Sequence, residues 1–137
     1  MSRLSTARKQ LAQYFGAELE IPHYSYPAPG ADLPSIQLRP NDNDDGYVTR
    51  QDDRNTFEQW MITYIARLGL VHRGEEAEID EIDDRIAQIN EMFPANLEVG
   101  ATAFVDRFIT PSAAQDGDTT HRSLDVVISL QLTGSLT

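Results

Sequence analysis

From Leu124 to Leu132 every second residue is apolar, and no other stretch limits the fold so tightly. In "SLDVVISLQL" (123–132), Leu124, Val126, Ile128, Leu130 and Leu132 alternate with Asp125, Val127, Ser129 and Gln131. Side chains alternate between the two faces of a strand, so this segment is a strand with one face in a core. Such a face must be covered by another layer. The cover is legible in "EEAEIDEIDDRIAQINEMF" (75–93), where Ile79, Ile82, Ile86, Ile89 and Phe93 recur at spacings of three and four along one helix face. Seven acids fall in its first ten residues, where they complement the positive end of the helix dipole, and Pro94 stops it. Two heptads are too few for a coiled coil, so packing on a sheet is expected.

Three further segments complete the pattern. Residues 3–15 form a first helix with Leu4, Ala7, Leu11 and Phe15 on one stripe and Arg3, Arg8 and Lys9 on the remainder; Ser2 is the expected N-cap and Gly16 the expected stop. In "TFEQWMITYIARL" (56–68), Trp60, Ile62, Tyr64 and Ala66 alternate with Gln59, Met61, Thr63 and Ile65, a strand rich in aromatic and β-branched residues. "TAFVDRFI" (102–109) reads as a strand with Phe104 and Phe108 on one face and Val105 and Ile109 on the other. Between the first helix and the long strand, residues 18–40 contain five prolines, which exclude a central strand through their middle. A short extended piece at Leu19–Ile21 and a strand at Ser35–Arg39 near a sheet edge fit that segment. The fold class expected is α+β: an antiparallel β-sheet with two α-helices packed on it, in the order α-β-β-α-β-β with a long acidic loop, as a single domain over residues 1–137.

The acidic loop spans 41–55 and contains "NDNDDGYVTRQD" (41–52). In a twelve-residue calcium frame, Asn41, Asn43 and Asp45 take positions 1, 3 and 5, Gly46 the turn, Thr49 position 9 and Asp52 position 12. The flanks are strand-like, the first ligand is neutral, and the bidentate Glu at position 12 is missing. Asn, Asp and Gly are also what exposed turns favour, so a strand connection is the default reading and a calcium-binding regulatory module the alternative.

Composition narrows the function classes. A formal charge of −11 argues against non-specific DNA binding through a basic face. There is no cysteine, hence no disulfide scaffold and no thiolate chemistry. The amino-terminal segment has no apolar run long enough for a signal peptide or membrane span, so a soluble intracellular protein without membrane contact is expected. No phosphate loop, nucleophile elbow or HExxH motif occurs, and His23, His72 and His121 fall in separate expected loops. The carboxylates are plentiful, yet none is singled out by a dry cleft that would raise its pKa, so carboxylate hydrolase chemistry has no specific support. A non-enzyme without cofactors is expected. Trp60, in the middle of its strand, is read as packing with an interface role as the alternative. Tyr24 and Tyr26, with Asp42, Asp44 and Asp45, are the further candidates for subunit or partner contacts.

The succession "LSTARKQLAQYFGAELEIPHYSYPAPGADLPSIQLRP", "TFEQWMITYIARLG", "EIDEIDDRIAQINEMF" and "RSLDVVISLQLTG" resembles the tail terminator (tail completion) proteins of long-tailed bacteriophages. The resemblance spans nearly the whole chain as a pattern of elements. It implies a structural virion protein of the tail or neck, made in the host cytoplasm, that forms a homo-hexameric ring. Such a ring caps the tail tube, ends polymerisation of the major tail tube protein, and offers a docking surface to the head–tail connector or stopper. Genomic DNA passes through it without specific binding, for which an anionic lumen is suited. A head–tail connector or stopper ring is the nearest alternative.

Overall fold

Helix α1 (Arg3–Leu19) begins where Ser2 leaves the extended region and its hydroxyl accepts the Ser5 N–H at 3.0 Å. Ala7, Leu11, Ala12, Phe15 and Leu19 are its buried residues, together with Gly16. The expected stop at Gly16 is wrong by a turn. A Cβ at that position would lie 2.1 Å from His23 Nδ1 and 2.9 Å from His23 Cβ, so glycine is needed for close approach, not for termination. The helix ends at Glu20, which takes the left-handed conformation and donates its N–H to the Gly16 carbonyl. The extended piece expected at 19–21 is accordingly helix end and turn. Arg3, assigned to the solvent side, is a clamp: its guanidinium donates to the carbonyls of Val99, Thr133 and Ser135 at 2.7 to 3.0 Å.

The computed structural model describes residues 1–42, 46–51, 58–110, 114–116 and 119–137, with backbone alone at 114–116 and 119–121. Strands β1 (His23–Tyr24), β2 (Ser35–Pro40), β3 (Val48–Arg50) and β4 (Gln59–Gly69) follow α1. Helix α2 (Glu75–Met92) is followed by β5 (Ala95–Asn96), β6 (Ala101–Ile109), the hairpin strands β7 (Ala114–Asp116) and β8 (Thr119–His121), and β9 (Ser123–Thr133). The main sheet has the order β1-β2-β4-β9-β6-β5, with β3 on β4. It curls, and it is mixed, because β1 runs parallel to β2. The purely antiparallel sheet and the four strands expected are both corrected. His23 and the segment around Val48 looked like loop because two- and three-residue strands carry no readable alternation.

Both helices cover one face. Ile36 and Leu38 of β2, Ile62, Tyr64, Ala66 and Leu68 of β4, Ala101 and Ala103 of β6, and the five alternate apolar residues of β9 form one cluster with Leu11 and Phe15 of α1 and Ile82 and Ile89 of α2. The two helices also meet at Phe93, whose ring lies 5.4 Å from that of Phe15 and 5.6 Å from that of Tyr14. Helix α2 opens on Gly74 at φ 102°, a conformation that side chains resist, and ends on extended Phe93 before Pro94.

Two sequence patterns break. The stripe on α2 fails at Ile79, which is 44 % exposed, because the buried line runs through Glu78, Ile82, Ile89 and Met92. Glu78 turns inward to meet His72 Nδ1 at 3.1 Å and Arg122 Nε at 3.8 Å. In β6 a bulge falls between Val105 and Arg107. It inserts Asp106, so Val105 and Phe108 both pack on the core while Phe104 pairs with Ser129 on the other face. The expected pairing of Phe104 with Phe108 on one face is therefore overturned.

Candidate functional site

The face of the sheet away from the helices is the most distinctive surface. The register lays it out in rows from β2 through β4 and β9 to β6. One row reads Gln37, Arg67, Asp125, Ile109; the next Arg39, Ile65, Val127, Arg107; the third Asn41, Thr63, Ser129, Phe104. Arg67 grips Asp125 with two bonds, Nε to Oδ1 at 2.8 Å and Nη2 to Oδ2 at 2.9 Å, and Arg39 stands 4.0 Å from the same carboxylate. That carboxylate raises the Arg67 pKa above its usual value, against the opposing effect of burial. The Asp106 carboxylate accepts the Ser129 hydroxyl. Asp125, Val127 and Ser129 are all buried, whereas Arg107 and Ile109 are exposed.

The acidic stretch joins the sheet at Thr63 and, through β3, along β4 down to Gln59. Asn41 donates its N–H to the Thr63 carbonyl at 2.9 Å, and Thr63 donates its own N–H to the Tyr47 carbonyl at 3.0 Å. Pro40 is opposite Tyr64 and Val48 opposite Ile62, so Asn41 and Tyr47 share a single partner residue. Strands β2 and β3 are thus two pieces of one rung series along β4, separated by residues 42–46. Tyr47 also stacks edge-on against Tyr64 at 5.6 Å, with its hydroxyl 3.3 Å from that of Tyr64. Burial, then this hydrogen bond, pushes the Tyr64 pKa far above the ordinary tyrosine value.

The sequence-predicted residues separate into groups. Of the calcium frame, Asn41 and Thr49 line a hollow of about 440 Å³ with Thr63, Asp106, Arg107 and Ser129, and the Arg107 guanidinium there opposes a cation. Asn43, Asp44, Asp45 and Asp52 lie outside the described residues. Among the described residues no three His, Asp or Glu side chains converge. Strand β2 runs up to the start of the frame and β3 lies inside it, paired with β4, where a calcium hand requires a loop between two helices. Asp42 is exposed at the end of β2.

Tyr24 and Tyr26 are brought together at the β1 edge, ring centroids 6.1 Å apart and nearly perpendicular, with Tyr26 58 % exposed. Trp60 is far along the sheet from them. It sits near the start of β4, not in its middle, half-buried against the core, with its indole N–H donating to Glu58 and the Arg50 guanidinium 5.4 Å above the ring. The packing role read for it is what the structure has.

A cleft of about 840 Å³ lies beside α1, walled by Tyr14, Ile21, His23, Leu97 and Glu98. Two of its polar groups serve the fold: Gln10 accepts the Val99 N–H at 2.9 Å, and the Tyr14 hydroxyl donates to the Met92 carbonyl. Burial, then the nearby Glu18, raises the Tyr14 pKa. Sequence reasoning missed Arg39, Arg67 and Arg107 as a group. Arg67 and Asp125 do occupy polar positions of two alternating strands, a signal that becomes an ion pair once the strands are paired. Among the described residues, no helix is long and apolar enough to cross a membrane. The chain matches no protein-family model, and no curated protein is similar to it.

Proposed function

We propose that the protein is a structural assembly subunit of the tail-terminator type and not an enzyme. In this reading its two helices and four longest strands form the α-β-β-α-β-β plan, with the acidic segment as an excursion from it. Copies form a hexameric ring on the end of a phage tail tube, in the virion neck. There the ring stops addition of the major tail tube protein and receives the head connector, while DNA passes through. The observation that carries the reading is the helix-free sheet face, where Ile65, Phe104 and Ile109 lie among arginines in a chain of net charge −11. A broad face with an apolar centre and a charged border suits a protein partner better than a small substrate. In this reading the exposed Asp80, Asp84 and Glu91 of α2 supply the anionic surface that a DNA passage needs, since like charge keeps phosphates from adhering.

Native mass spectrometry and negative-stain imaging of the protein, alone and with tail tubes, test this. Six-membered rings, free or on tube ends, are expected. A protein that stays monomeric and never associates with tubes overturns the reading, and rings that bind only the head side shift it to a connector or stopper.

A further inference from the structure

Resting on the ring reading, we propose that the helix-free sheet face of one copy docks the flank of helix α2 of the next, a head-to-tail contact between two copies of this chain. The two patches are complementary in shape of charge. On the sheet, half-buried Ile65 lies in one row with Arg39, buried Val127 and Arg107, Ile109 ends the adjacent row at 37 % exposure, and Phe104 is half-buried in the third, so Ile65, Phe104 and Ile109 are the apolar groups a partner reaches. Three arginines stand there against Asp106 and Asp125; Arg67 and Arg39 both face Asp125, which leaves Arg107 as the cation directed to a partner. Arg107 makes no side-chain hydrogen bond or ion pair among the described residues.

Helix α2 carries the reverse. Because Glu78 occupies the buried line, Ile79 is turned to the side and 44 % exposed. Helical spacing places Glu75, Glu76 and Asp83 one turn from Ile79, and half-buried Ile86 two turns along the same flank. Eight acids and a single base, Arg85, occupy the helix, so the apolar flank is bordered by carboxylates. An apolar centre with a cationic border on one surface faces an apolar ridge with an anionic border on the other, the arrangement that gives orientation and discrimination at interfaces.

Because α2 covers the opposite side of the sheet, the two patches cannot meet within one chain. A contact between different patches is heterologous, so it propagates from copy to copy until it closes into a ring or continues as an open filament. That matches the closed assembly proposed above without requiring any further interface.

Charge exchange between two variants tests the contact. Arg107→Glu reverses the sheet border; Glu76→Lys with Asp83→Lys reverses the helix border; all three sites are exposed, and unchanged thermal melting confirms that the variants fold. In sedimentation velocity over a concentration series, the wild-type protein is expected to self-associate, less so as salt is raised. Each variant alone is expected to associate at least about tenfold more weakly. Mixing the two variants restores association, because the unaltered and the doubly reversed pairs are both complementary. Association that survives both reversals, or a mixture that fails to recover, overturns the docking. Discrete rings unaffected by the reversals overturn the docking and leave the ring reading in place. Open-ended chains abolished by the reversals uphold the docking and overturn the ring. A monomer at every concentration overturns both.

Discussion

On one face of β9, Leu124, Val126, Ile128, Leu130 and Leu132 are sealed beneath two helices; on the other, Asp125, Val127 and Ser129 are nearly as inaccessible with no helix over them. The first face is dry because apolar side chains from separate layers interlock. On the second, the polar groups are paired: Arg67 and Arg39 face Asp125, and the Ser129 hydroxyl donates to Asp106. A strand can therefore be buried on both sides while only one side belongs to the core. The first kind of burial contributes stability through area removed from water; the second fixes charged and polar groups in pairs.

Substitutions at equivalent depth on the two faces should separate these contributions. Ile128→Ala, which opens a void under both helices, is expected to lower unfolding free energy by about 3–4 kcal/mol in chemical denaturation. On the other face Arg67→Met removes the bidentate partner of buried Asp125. An expected loss of about 2 kcal/mol follows, moderated because Arg39 stands nearby and half of the pair reaches water. Val127→Ala is expected to cost about 1.5 kcal/mol, the transfer value of the atoms removed with little added for a cavity. If it matches Ile128→Ala, the distinction between the faces collapses.

The smallest effect tests the Tyr64 hydroxyl on the apolar face. Tyr64→Phe is expected to cost less than about 1 kcal/mol at neutral pH, because only its bond to Tyr47 is lost. Its signature lies at high pH. The folded-state pKa of Tyr64 is raised, so the stabilising contribution of the neutral hydroxyl is complete below the ordinary value of 10.0 and declines as pH rises above it. Wild-type stability should fall more steeply than that of the variant above that pH, as read from denaturation midpoints. Equal slopes would show that Tyr64 ionises freely in the folded state.

How far the sequence predicted all this differs between elements for physical reasons. The alternation of β9 and of β4 was fully legible, since a period of two survives whatever lies on the second face. Helix α2 was legible in extent but not in rotation: Ile79 belongs to the right periodicity, yet Glu78 finds His72 and Arg122 as partners and takes the inner position. Those partners lie in the connection before α2 and just before β9, and nothing local announces them. The Asp106 bulge shifts every later residue of β6 to the other face without a glycine to mark it. Strand β1 owes its existence to β2, and Gly16 to His23, contacts that no local pattern encodes. The arginine-bordered face was invisible for the same reason. Arg39, Arg67 and Arg107 are distant in sequence and become neighbours only through strand order.

The junction at Thr63 gives the acidic segment an unusual independence. With Asn41 and Tyr47 opposite the same residue, removing residues 41–46 would set Tyr47 directly after Pro40, opposite Thr63, with Val48 still opposite Ile62. The ladder along β4 would then run on without a change of register. The sheet thus counts residues along β4 as though Tyr47 followed Pro40 directly.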